Sequence, residues 1–177
     1  EFGLMVIAPA HHRRIAAGIL SWGQDLDHET SPFQVNLAYQ VPRNKAADYI
    51  GKEALEKQRA IIDEGNAPFK MKMVGITFGG KEITDYAPDF WLIEDTDGNE
   101  MGYVTSPWWS PELETNIGLA WVPWSSSEVG TKLQVKLPEE YSDGGPAQGE
   151  VVEVPFRESV NPNKREVQKA KGLDYAD

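Results

Sequence analysis

The chain has 177 residues, a formal net charge of -11 and 40% hydrophobic residues, enough apolar material to bury a core of one or two domains. So anionic a surface repels nucleic acid and anionic membranes, which weighs against both as partners. Cysteine is absent, so disulfides and thiolate metal sites are excluded and a reducing cytoplasm is the simplest home.

No run approaches the roughly 18 apolar residues needed to span a bilayer. The opening "EFGLMVIAPAHH" has neither a cationic n-region nor a cleavage pattern, so it is not a signal peptide. It also lacks an initiator methionine, and the chain reads as a piece of a longer protein. In chain order, residues 1–68 form the first part. Leu4 to Ala8 reads as a short buried strand, and Pro9 suits the first turn of a helix running through "AHHRRIAAGIL". Phe33 to Val41 alternates Phe33, Val35, Leu37, Tyr39 and Val41 on one face, which predicts a strand. A helix follows from Gly51 to Gly65, with Leu55 and Ile62, like Ala54 and Ile61, seven apart on one stripe.

Residues 69–157 read as strand and turn throughout. "FKMKMVGITF", "DFWLIED", "EMGYVTS", "NIGLAWV", "TKLQVKL" and "GEVVEVPF" give about six short strands, with Asp97-Gly98 as a hairpin turn. Residues 158–177 are charged and weakly apolar, which predicts a mobile tail. The fold class expected is therefore α+β, an α+β portion followed by a small antiparallel barrel or sandwich. Four tryptophans, Trp108, Trp109, Trp121 and Trp124, crowd one stretch of that strand region. Neighbours on a strand point to opposite sides, so Trp108 and Trp109 cannot both be core; Trp121 shares the face of Ile117 and Leu119 and reads as buried.

Catalytic motifs are absent. His11 and His12 are adjacent on a helix and do not share a face, so they are poorly placed to chelate one metal. Asp25, Asp27 and Glu29 lack the pattern of an EF-hand and read as loop acidity, and His28 as a surface residue. No HExxH, P-loop, GxGxxG or acyl-transfer triad is present, so no catalytic or metal-binding residue is assigned.

Ordered phrases nevertheless carry a resemblance. "RRIAAGILSWGQDLDHETSPFQVNLAYQV", then "YIGKEAL", then "GYVTSPWWSPELETNIGLAWV" and "VVEVPF" resemble, in order and spacing, the C-terminal part of the glycine-cleavage T-protein (aminomethyltransferase) family. Two departures stand out. The family's Leu-Arg-Leu-Glu is "RRIA" here, which keeps Arg14 but puts Ala16 in place of the glutamate, and its Thr-Ser-Gly has become Thr-Ser-Pro with two tryptophans behind it. These departures point away from the aminomethyltransferase itself, and the "RRI", "GIL", "DLD" and "PF" phrasing looks closer to tetrahydrofolate-dependent demethylases such as dimethylsulfoniopropionate demethylase.

The resemblance implies that residues 1–68 close a folate-binding α+β domain, that residues 69–157 form a small antiparallel β-barrel, and that missing N-terminal domains of the same protein complete a central channel. It implies tetrahydrofolate as cofactor and a small methyl or aminomethyl donor as substrate. Trp22, standing where the family has tyrosine, Glu29 and Tyr39 are the folate contacts it implies, with Tyr39 the weakest. The fragment alone is expected to be inactive, and the first part to expose an apolar interface. A reading from another class is a non-catalytic folate-binding or protein-docking barrel module.

Overall fold

The computed structural model describes residues 10–43 and 45–156, so the expected strand at Leu4 to Ala8 and the expected tail lie outside the described residues. Helix α1 spans His11–Ala16 and helix α2 Lys52–Asp63. The strands are β1 (Met71–Phe78), β2 (Trp91–Glu94), β3 (Glu100–Ser110), β4 (Thr115–Pro123), β5 (Lys132–Val135) and β6 (Ala147–Val152). All six pair antiparallel, and they close into a barrel in the order β1-β4-β3-β2-β5-β6.

Period-two alternation builds the barrel. Val74, Ile76 and Phe78 of β1 meet Val104, Ala120, Val122, Leu133, Val135 and Val151 in one buried cluster that fills the interior. In β5, Leu133 and Val135 are fully buried while Lys132 and Lys136 face out, as the alternation requires. The β2–β3 hairpin turns at Gly98, where φ is 86° and the Asp95 carboxylate accepts from the backbone N–H groups of Asp97 and Asn99.

A second core lies on the barrel's outer wall. Ile117, Leu119 and Trp121 of β4 do share a face, as predicted, and that face is covered by Ile15, Ala16 and Val35 of the first part. Trp121 is therefore buried between the two parts, not inside the barrel. The helix carrying Ile15 ends sooner than the sequence pattern indicates. Gly18 takes a left-handed φ of 68°, its N–H reaches Ile15 O at 2.9 Å and that of Ile19 reaches Arg14 O at 2.8 Å, a paired closure that stops the helix.

The strand expected at Phe33 to Val41 does not form. Asn36 sits at φ 60°, and Ala38–Gln40 is a single 3-10 turn. Phe33 and Val35 are buried, but Tyr39 is 65% exposed. Isolated bonds stand in for a ladder: Gln34 O accepts from Met73 N–H at 2.8 Å, Gln34 Nε2 donates to Met71 O at 3.2 Å, and Asn36 Nδ2 donates to Met73 O at 3.1 Å. α2 forms as expected, yet none of its residues is buried: Leu55 and Ile62 are half-covered, Ala54 and Ile61 exposed.

At Gly102 the backbone of β3 lies tight against that of β4. A Cβ there would stand 2.0 Å from Trp121 O, a backbone atom that cannot swing aside. Gly102→Ala should therefore destabilise the barrel by about 1–3 kcal/mol or more, an overpacking cost. Urea unfolding would show a lower midpoint at an unchanged slope.

Candidate functional site

The junction between the first part and the barrel is organised by one acid. Asp25 is 1% exposed, and both carboxylate oxygens are occupied. Oδ1 accepts from Thr105 Oγ1 at 2.6 Å and from Ser106 Oγ at 2.5 Å; Oδ2 accepts from Arg14 Nη1 at 2.8 Å and from the Ser21 N–H at 2.7 Å. Arg14 also donates to Ser106 Oγ at 2.8 Å and to Gln24 Oε1 at 3.3 Å, and Gln24 Nε2 donates to Thr105 O at 2.7 Å. Trp121 adds its indole N–H to Asp25 O at 2.9 Å.

Adjacent strand residues normally face opposite ways, so two neighbouring hydroxyls should not reach one oxygen. The register supplies the explanation. Val104 pairs with Ala120 and Ser106 with Leu119, which leaves Thr105 as the extra residue of a bulge. The bulge turns Thr105 and Ser106 to the same side. Reading Asp25 as loop acidity is corrected by this geometry: Asp25 is a buried clamp, while Asp27 and Glu29 are exposed.

Beside the clamp, His11 stacks on Trp108 with centroids 5.3 Å apart and an angle of 15°, and tilts against Tyr86 at the same distance. Burial, then the Arg14 charge, hold the His11 imidazole below its usual range against the opposing pull of Asp25. Trp109, the strand neighbour of Trp108, is half-buried.

Two clefts flank the junction. The larger, of about 350 Å³, is lined by Asp27, Glu29, Met71, Phe90, Tyr103 and Trp121 among others. Phe90 and Tyr103 stack at 5.3 Å and 11°. Backbone N–H donation from Glu29 and the Thr30 hydroxyl hold Asp27 below the usual carboxylate range, and burial together with the Asp27 charge pushes the Tyr103 phenol up. The smaller cleft, about 110 Å³, holds Tyr39 with Val35, Leu37 and Leu119. Of the three expected folate contacts, Glu29 thus lines one cleft and Tyr39 another. Trp22 lines neither and stands 69% exposed, on a loop closed by a bridge to Leu26. Arg14 kept its place in the pattern, but its strand partner Ser106 lies ninety-two positions on, beyond any local signal.

Fold and clamp together define a small closed antiparallel barrel with a preceding segment locked to its outer wall. Residues 71–158 match the family model of the glycine cleavage T-protein C-terminal barrel domain. The chain belongs to that family, and it carries this barrel. Aminomethyltransferases from Oceanobacillus iheyensis and Geobacillus sp. are each 35% identical over 124 residues, 70% of this chain and 31% of the relative. That of Synechococcus sp. is 34% identical over the same span. The crystal structure of glycine cleavage system aminomethyltransferase T from Bartonella henselae aligns with a TM-score of 0.66 at 23% identity, covering 84% of this chain and 38% of that one. The chain thus spans about a third of the length of these curated relatives. Among the described residues no helix is long and apolar enough to cross a membrane.

Two expectations follow. Removing one partner of the buried pair by Asp25→Ala should cost about 3–5 kcal/mol, because Arg14 is left uncompensated. Arg14→Ala added to it should cost far less than a second such loss, and a double-mutant cycle in urea measures that coupling. For His11 the folded imidazole titrates below the unfolded value of 6.5, so the unfolded state takes up its proton first as pH falls. Its contribution is intact above pH 6.5 and is lost below it, and His11→Gln should flatten the stability–pH profile on the acid side of 6.5.

Proposed function

We propose that this chain forms the C-terminal part of a cytoplasmic, tetrahydrofolate-dependent one-carbon transferase, which moves a methyl or aminomethyl unit from a small donor to the folate. The carrying observation is Trp22: a large indole, 69% exposed, three residues before the buried Asp25 that fixes its loop. Leaving an indole in water wastes its burial energy, and the position is the one where the resemblance has a folate-contacting tyrosine. A planar pterin stacked on Trp22 would recover that energy. Glu29 and Tyr39 remain the further proposed contacts, each lining a cleft of its own, and supporting this reading are the names of the relatives, all aminomethyltransferases.

Within that class a demethylase is the finer proposal. Ala16, where the resemblance has glutamate, is 6% exposed inside the apolar cluster of Ile15, Val35 and Met73. A carboxylate is expensive there, so alanine suits this packing, and the departure from the aminomethyltransferase pattern is what favours the demethylase. The reaction itself is proposed for a polypeptide of the relatives' length, with the acid–base group contributed from outside these residues. The 177-residue chain alone should then show no turnover, since loss of a positioned acid–base group typically costs about 10²–10⁴-fold.

Trp22→Ala in the longer polypeptide should weaken tetrahydrofolate binding by about 1–3 kcal/mol, the range of base–aromatic stacking, with little change in melting temperature. Trp121→Ala should behave the opposite way, losing about 3–5 kcal/mol of stability as a buried indole. Calorimetric titration and thermal melts give the two axes. Unchanged folate affinity in Trp22→Ala would leave a folate-independent barrel module as the reading. Turnover of dimethylsulfoniopropionate against aminomethyl donors then separates demethylase from aminomethyltransferase.

A further inference from the structure

A third cleft, of about 290 Å³, opens where β1 and β6 part. The two strands pair only from Gly75↔Val152 to Phe78↔Gly149, and above that point they diverge. Val74, Val129, Val151 and Val154 wall the gap, and Lys72, Glu153, Ser127 and Asn36 supply its polar groups. Lys72 has the strand parity of Val74, Ile76 and Phe78, which fill the interior, so alternation aims it at the open end of the barrel.

Its setting differs from that of the paired lysines. Lys57 pairs with Glu53, Lys132 with Glu150, and Lys136 with Glu94, which holds the Lys136 ammonium above its usual range. Among the described residues no carboxylate pairs with Lys72, although Glu153 lines the same cleft. Its ammonium lies 5.1 Å from the centre of the Trp124 ring, and burial holds it below the ordinary lysine range. A half-buried lysine without a counter-ion presents more neutral amine at neutral pH than an exposed one, and neutral amine is the nucleophile.

We propose that Lys72 is a covalent capture site for a small, neutral aliphatic aldehyde. The valine walls select an alkyl chain, the volume limits its size, and Glu153 together with the net charge of -11 disfavours an anionic ligand. The Lys72 Nζ lone pair forms a bond to the carbonyl carbon, giving a carbinolamine. Departure of the former carbonyl oxygen as water, with both protons of the neutral amine, leaves the imine; no oxidant or further reactant is needed. Asn36 and Ser127 bring hydroxyl and amide groups to the cleft that suit a polar intermediate.

The test uses the full chain with limiting isobutyraldehyde and cyanoborohydride, which reduces the imine to a stable secondary amine that peptide mass mapping can place. Near pH 7 Lys72 should be alkylated several times faster than Lys57 and Lys132, and the advantage should vanish near pH 11, where exposed lysines are also largely neutral. Lys72→Arg keeps a cation over Trp124 and removes that label while leaving the others unchanged. A bulky aldehyde too large for the cleft should show no preference for Lys72. Labelling of Lys72 no faster than Lys57 near pH 7 would overturn the proposal, and so would an equal preference for the bulky aldehyde, which would make the amine's reactivity independent of the cleft.

Discussion

A single desolvated carboxylate holds the described parts together. Asp25 lies out of water, where an unpaired charge costs several kcal/mol, and the fold meets that cost with four donors from three separate places: Arg14 on α1, the Ser21 N–H, and the hydroxyls of Thr105 and Ser106 on β3. Each donor constrains something else. Arg14 orients α1 over the outer wall, Ser21 shapes the loop that presents Trp22, and the hydroxyl pair requires the bulge in β3. The bulge in turn shifts the strand's phase so that Trp108 faces His11 and the second core.

The crowded tryptophans resolve into separate roles under this arrangement. Trp108 carries the imidazole of His11, Trp121 donates to the Asp25 carbonyl, and Trp124 lies between Phe69 and the Lys72 ammonium. They form no common aromatic wall. Proximity in sequence brought them onto one pair of strands and the turn that follows, and strand alternation distributed them to different surroundings.

Much of the barrel was legible because its determinants are local. Leu133 and Val135 alternate with lysines, Asp97-Gly98 marks its turn, and Ile117, Leu119 and Trp121 keep one face, so period two alone identifies these elements. The same rule failed at Phe33 to Val41, where the pattern is equally regular but Asn36 adopts a left-handed conformation and leaves Tyr39 in solvent. Asp25 failed for a different reason. Nothing in "GQDLDHE" distinguishes the buried aspartate from the exposed Asp27 two positions on; the difference lies in partners eighty residues away. Trp22, Glu29 and Tyr39 stand out by motif, and motif carries no information on which cleft a side chain faces.

The divergence of β1 from β6 has a consequence for assembly. Closed barrels escape the hazard of free strand edges, yet here the stretch of β1 before Gly75 has no strand partner on its β6 side. Gln34 and Asn36 occupy that edge with three bonds, two from side-chain amides and one from a backbone carbonyl, which block a template without committing a whole strand to it. A barrel cut free of residues before Met71 would present that edge bare, with Met71 and Met73 ready to accept a strand from another molecule. The preceding segment thus acts as a guard against self-association as much as a packing partner.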